Sequence, residues 1–233
     1  MGGKYQDIRF KWMEERGFNI LADPHQYAYA QALWQDVGIV QSVWVDAKAG
    51  TGKTTLAVLC GAYELERETY QRIIYVRNAV PVREQGFLPG DLKEKEAPYM
   101  APLYDALEYV QPGIAEKWQQ SGKLVTLTSS YARGVNWKDA FIIIDEAQSF
   151  DLEELQAVLT RCHDSSKVVV IGSTRQVDNK KLQRIAGLTP FEVYMEHFKG
   201  KLAVFCKLET NYRGDFAEHA DAIQETVKRL KGE

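Results

Sequence analysis

With 233 residues and a formal net charge of −3, the chain is long enough for one large domain and is not coated in basic surface. At 45% hydrophobic and 26% charged residues it has the composition of a globular protein, and a chain of this size buries about 70–75% of its unfolded surface without covalent staples. No apolar run approaches the roughly 18 residues of a membrane helix, and Cys60, Cys162 and Cys206 form no Cys-x-x-Cys pair, which argues against a zinc ribbon or a disulfide framework.

Residues 1–22 read as an N-terminal arm or short helix, with Ile8, Phe10, Trp12 and Met13 set among charges. The first six residues carry no signal-peptide core, so a cytoplasmic location with reduced thiols is expected. Residues 23–233 read as the main domain. Asp23 is an N-cap, Pro24 suits the first helical position, and a helix runs to about Trp34.

A strand over Ser42–Asp46 then enters Ala47-Lys48-Ala49-Gly50-Thr51-Gly52-Lys53-Thr54-Thr55, and a helix follows to about Arg67. Strand, glycine-bearing loop and helix, in that order, make a phosphate-binding loop. Gly50 and Gly52 let backbone amides converge on an anion, and the helix adds its positive end. Ala49, Gly50, Thr51, Gly52, Lys53, Thr54 and Thr55 are the expected phosphate contacts. Lys53 reaches the transferring phosphate as a point charge, and the Thr54 hydroxyl suits Mg²⁺. The pattern's first glycine is Ala47 here, a position that alanine can hold at negative φ.

Further strands are expected at 72–76, 124–127, 141–144, 168–171 and 202–205. Helices are expected at 98–110, 152–162, 179–186, 190–198 and 216–230, with a short one ending near Ser121. The connection 83–96 is long enough to be functional. Unbroken apolar strands alternating with helices imply an α/β fold of three layers with a mostly parallel central sheet. Ligands of such sheets bind beyond the carboxyl ends of the strands.

Phe141-Ile142-Ile143-Ile144 ends in Asp145-Glu146. Asp145 is placed to hold Mg²⁺ opposite Thr54, and Glu146 to orient or deprotonate water. Gln176, beyond the strand ending at Gly172, can sense a γ-phosphate, or it belongs to an ordinary polar loop. Arg213 can neutralise transition-state charge, or it sits on a solvated turn. Gln26 can pair with an adenine edge, or it is a surface glutamine. Asn179-Lys180-Lys181-Leu182 lacks the aspartate of a guanine-reading loop, which favours adenine. Arg77, Arg83, Lys93, Lys95, Tyr131, Arg133, Trp137 and Lys138 fall on loops at the same rim, where cations and aromatics can meet single-stranded nucleic acid; a solvated rim is the alternative.

These stretches resemble PhoH-like ATPases, the phosphate-starvation-inducible group related to superfamily-one helicase cores. The resemblance rests on Ala49–Thr54, Gly86-Phe87-Leu88-Pro89-Gly90-Asp91-Leu92, Pro98-Tyr99, Pro102–Leu107, Ala132-Arg133-Gly134, Asp145-Glu146-Ala147-Gln148 and Gln176-x-Asp178. It implies a P-loop NTPase with a RecA-like, helicase-like core that binds and hydrolyses ATP with Mg²⁺ and acts on RNA or single-stranded nucleic acid. It also implies a homo-oligomer, a hexameric ring. On that carry-over Gln26 touches adenine, Lys53 and Thr54 hold phosphates and metal, and Asp145 holds the metal. Glu146 is then the base, Gln176 the sensor and Arg213 a finger, for its own site or that of a neighbouring subunit. The chain departs from the family pattern at Ala47-Lys48, at Ser173 where an aspartate is expected, and around Asn211-Tyr212-Arg213-Gly214. A nucleoside kinase of the thymidine type and a non-catalytic nucleotide-dependent RNA-binding module are the alternatives.

Overall fold

The computed structural model describes residues 7–78, 92–128, 136–174, 184–201 and 203–231. Six strands form its sheet: β1 (Ser42–Ala47), β2 (Arg72–Arg77), β3 (Leu124–Thr128), β4 (Ala140–Asp145), β5 (Lys167–Gly172) and β6 (Ala203–Leu208). They lie in the order β3-β2-β4-β5-β1-β6, and each described pairing is parallel. The register sets Arg77 beside Asp145, and Asp46 beside Gly172 and Lys207. Chemically active residues at the strand exits are therefore neighbours.

Side chains alternate across a strand, and two cores follow from that period of two. Val43, Val45, Ile73, Tyr75, Phe141, Ile143, Val169 and Ile171 face one core. Helices α1 (Ile8–Glu14), α2 (Pro24–Leu33), α3 (Lys53–Glu66), α4 (Leu92–Glu108) and α5 (Ile114–Gln120) cover it. Trp44, Ile74, Val76, Ile142, Ile144, Val168 and Val170 face the other, under α6 (Leu152–Leu159) and α7 (Pro190–His197). Burial on both faces is why these strands lack polar alternation. The expected three-layer α/β fold is the one observed.

Several boundaries differ from expectation. Helix α4 starts at Leu92 and holds Pro98 and Pro102 inside it. Proline is a helix-start signal in sequence, but here burial of Met100, Leu103, Ala106 and Leu107 outweighs the lost backbone bonds. The final helix is two, α8 (Asp215–Asp221) and α9 (Ile223–Lys231). Ile185 and Leu188 form a bridge across a turn where a helix end was expected, with Ala186 at φ 51°. Trp137 and Lys138 precede β4, so they lie at the edge of the sheet opposite the expected rim. Trp137 is buried in the second core.

The sequence gives no sign that Lys167, which opens β5, is wholly buried. Its ammonium donates to the carbonyls of Ala32, in the last turn of α2, and Val40. Burial pushes its pKa down to about 8. Between that value and the roughly 10.4 of a free lysine, the unfolded chain binds more protons than the folded one. This group therefore adds stability as pH rises through the window. Tyr29 and Cys60, whose pKa values burial raises, act in the opposite direction. The contribution is thus read as a difference. From pH 8 to 10.5, wild-type stability in urea should rise relative to Lys167→Met, and parallel pH profiles would refute this assignment.

Candidate nucleotide site

The loop after β1 turns through two left-handed glycines, Gly50 at φ 80° and Gly52 at φ 79°, and α3 begins at once with Lys53. An L side chain at either φ is strained. At Gly50 there is also no room, because a Cβ would overlap Asn211 Oδ1. Within the loop, Thr51 Oγ1 donates to the Lys48 carbonyl at 3.1 Å, and Lys53 Nζ donates to the same oxygen at 3.3 Å.

Two other elements brace this loop. From α2, Gln26 Nε2 donates to the Thr51 carbonyl at 3.2 Å, and the Tyr29 hydroxyl donates to the Lys53 carbonyl at 3.2 Å. Asp23 accepts the first amides of α2, as expected of its cap, and also the Tyr212 hydroxyl at 2.8 Å. From the segment after β6, the Tyr212 amide donates to the Gly50 carbonyl at 2.8 Å. The segment that carries Arg213 is thereby pinned to this loop.

Across from Lys53 stands the tip of β4. Asp145 is fully buried. Its Oδ1 accepts the Thr54 hydroxyl at 3.1 Å and the Glu146 amide at 3.0 Å, and its Oδ2 accepts the Tyr75 hydroxyl at 2.5 Å. Burial and the neighbouring Glu146 carboxylate raise the pKa of Asp145, while Arg77, the Tyr75 hydroxyl and Lys53 oppose them. Glu146 has a left-handed backbone, φ 53° and ψ 43°, an uncommon conformation for a residue with a side chain. Its Oε1 lies 3.6 Å from Arg77 Nη2. Arg77 Nη1 donates to the Tyr99 carbonyl at 3.0 Å.

These groups line one cavity of about 800 Å³, within the range of small-molecule sites. Ala49, Gly50, Gly52, Lys53, Thr54, Thr55, Gln26, Asp145, Glu146 and Arg213 all reach it, and Thr51 is buried behind the loop. Arg77 lines it too, so the cation expected at a nucleic-acid rim is turned toward the acids. Gln176, Arg83, Tyr131 and Arg133 lie outside the described residues, as does the stretch from Gly86 to Asp91.

Sequence reasoning missed Tyr75, Tyr212 and the wall formed by Phe18, Asn19 and Tyr109. Phe18 meets Tyr109 edge to face at 5.0 Å. Only the hydrophobic character of residues 8–18 hinted at that wall, and nothing tied it to the loop some 30 positions on. Half-buried Thr54 and buried Asp145 offer a hydroxyl and a carboxylate converging on one point, which fits a hard divalent cation. The arrangement can hold an anionic chain along the loop, a cation at Asp145 and a flat ring at the aromatic wall.

In Gly50→Ala the added methyl would strain the turn and push Asn211 away. A loss of about 1–2 kcal/mol, on the order of tenfold in affinity, is expected for a nucleoside triphosphate in calorimetric titration. Unchanged affinity would mean that the loop does not hold the phosphates.

A family model described as PhoH-like protein matches residues 21–223. A PhoH-like protein of Mycobacterium leprae is 45% identical over 132 residues, 56% of this chain and 38% of that protein. A PhoH-like protein of Synechocystis is 38% identical over 162 residues, 69% and 48% respectively. Protein PhoH2 of Bacillus subtilis is 35% identical over 176 residues, 72% and 39% respectively. The matched stretch is thus less than half of each of these relatives.

Proposed function

The chain belongs to the PhoH-like protein family, a nucleotide-binding P-loop group, and on that premise we propose that it is a Mg²⁺-dependent ATP hydrolase acting on RNA or single-stranded nucleic acid. The observation that carries this reading is the 3.1 Å contact between Thr54 and Asp145, with Glu146 one residue on and turned into the same cavity. A site that only bound nucleotide would need no second carboxylate there.

In this reading the amides of residues 49–54 and Lys53 take the phosphate chain. Thr54 and Asp145 would hold Mg²⁺, which would neutralise charge on the phosphate chain. Glu146 accepts a hydrogen bond from the attacking water and takes its proton as the water oxygen bonds to the γ-phosphorus and the bond from that phosphorus to the β–γ bridging oxygen breaks, with ADP leaving. Arg213 and Lys53 oppose the charge that builds on the transferring group. The lining of the cavity by Arg213 of the same chain favours action in cis. Gln176 is assigned the γ-phosphate sensor on the family resemblance. The adenine is placed against Phe18, Tyr109 and Tyr212, whose rings suit stacking on a flat base. Gln26 still has its amide oxygen to offer after donating to Thr51.

The hydrolytic unit is proposed to be residues 23–233, with residues 1–22 supplying part of the base wall. The family resemblance extends the proposal to a cytoplasmic homo-oligomer, a hexameric ring, and to Arg83, Tyr131 and Arg133 as contacts for nucleic acid. The structure contributes one fact about membranes: no helix among the described residues is long and apolar enough to cross one.

Lys53→Ala should abolish ATP turnover, a loss of about 3 kcal/mol or more of transition-state stabilisation. Glu146→Gln should bind ATP as the wild type does and hydrolyse it about 10²–10⁴-fold more slowly. Full phosphate release by Lys53→Ala would refute the assignment of the loop. Turnover by the wild type is best measured with single-stranded RNA, single-stranded DNA and duplex at several salt concentrations. Stimulation by a single strand that fades as salt rises is the expected result, and indifference to all three would remove nucleic acid from the proposal.

A further inference from the structure

The base assigned above is held at both carboxylate oxygens. Glu146 Oε1 faces Arg77, and Oε2 accepts Gln148 Nε2 at 2.5 Å. Gln148 is itself 5% exposed. The far side of its amide, Oε1, accepts the backbone N–H of Ser173 at 3.0 Å. A peptide N–H can only donate, so the amide has one consistent orientation: oxygen to Ser173, nitrogen to Glu146. The next residue, Thr174, is fastened to the tip of β1, its amide and hydroxyl each donating to an Asp46 carboxylate oxygen at 2.9 Å. Ser173 and Thr174 therefore bridge the strand that leads into the phosphate loop and the strand that ends in the acids.

Resting on the hydrolase reading, we propose that Gln148 is a positioning residue, which aims the Glu146 carboxylate into the cavity and ties that aim to the backbone where β5 exits. The Glu146 backbone is already left-handed, a conformation that persists only where the surroundings determine it. Its carboxylate must sit within a fraction of an ångström of its place to meet an attacking water. Gln148 supplies that constraint through a rigid, buried amide. A shift of the Ser173 peptide moves Glu146 through one intermediary. Local packing alone would not require the amide to link these two partners, since an apolar side chain of the same length would fill the space.

The test compares wild type, Gln148→Met, Gln148→Ala, Glu146→Gln and the double variant Gln148→Met/Glu146→Gln. Thermal midpoints are recorded alongside kcat, KM and the Kd of a non-hydrolysable ATP analogue. Methionine keeps the length and loses both hydrogen bonds. The expected result is a kcat about 10–100-fold lower in both Gln148 variants, with analogue Kd changed by less than about twofold. The double variant should be no slower than Glu146→Gln alone, because a residue that acts through Glu146 has nothing left to position. Wild-type kcat in Gln148→Met, a loss that appears in Kd, a loss that multiplies in the double variant, or failure of both Gln148 variants to fold would each overturn the proposal. Absence of turnover in the wild type would remove the hydrolase reading and this inference with it, whereas the preceding outcomes leave that reading standing.

Discussion

A carboxylate at the end of the most apolar strand is the constraint on which the site depends. Burying Asp145 in the ionised form would cost several kcal/mol if nothing answered its charge. The structure answers with three hydrogen bonds and two nearby cations: Thr54, Tyr75 and the Glu146 amide donate, and Arg77 and Lys53 supply positive charge. Each comes from a different part of the chain. Tyr75 and Arg77 stand on β2, one strand over, and the register that sets Arg77 beside Asp145 brings both within reach. Thr54 and Lys53 arrive from the first turn of α3. The parallel sheet thus performs a chemical task as well as a packing one, because only strands running the same way gather all their exits at one edge.

The phosphate loop is held by a similar logic. A loop with two left-handed glycines is intrinsically mobile, since glycine gives up the most backbone freedom on ordering. Helix α2 offsets this from below through Gln26 and Tyr29, and the chain after β6 does so from above through the Tyr212 amide. Asp23 joins the two braces, because it caps α2 and accepts the Tyr212 hydroxyl at once. The N-cap of one helix is thereby part of the clamp that positions Arg213. A pre-organised loop of this kind loses little entropy when an anion enters, which is how binding energy is conserved for the chemical step.

What could be read without the structure was local. Strand, loop and helix around Gly50–Thr54 occupy consecutive positions, and the acids at 145 and 146 follow directly on an apolar run. Their proximity is written in spacing, and so is the three-layer α/β fold. What could not be read depends on partners far apart in the chain. The Tyr75–Asp145 bond spans 70 residues and the Gln148–Ser173 bond spans 25. Lys167 looks like a surface charge opening a strand, and only the approach of the last turn of α2 to the start of β5 shows that it is enclosed. Arg77 was placed on the correct edge of the sheet, yet its direction follows from the acids on β4, which attract it inward. In sequence Trp137 reads as a loop residue of that same rim, but a residue before a parallel strand belongs to the other edge.

The same distinction bears on why the candidate water-activating group is better fixed than its flexible side chain suggests. A glutamate has three rotatable bonds, and a surface glutamate samples many rotamers. Glu146 has a strained backbone behind it, a guanidinium on one oxygen and a buried amide on the other. The guanidinium at 3.6 Å is a loose partner, and Tyr99 shares it. The amide at 2.5 Å is close, buried and anchored to a backbone N–H that the β5 exit holds in place. The amide carries position from the exit of β5, and the guanidinium from Tyr99 in α4. Movement of the Ser173 peptide therefore reaches the Glu146 carboxylate through a single buried side chain, Gln148.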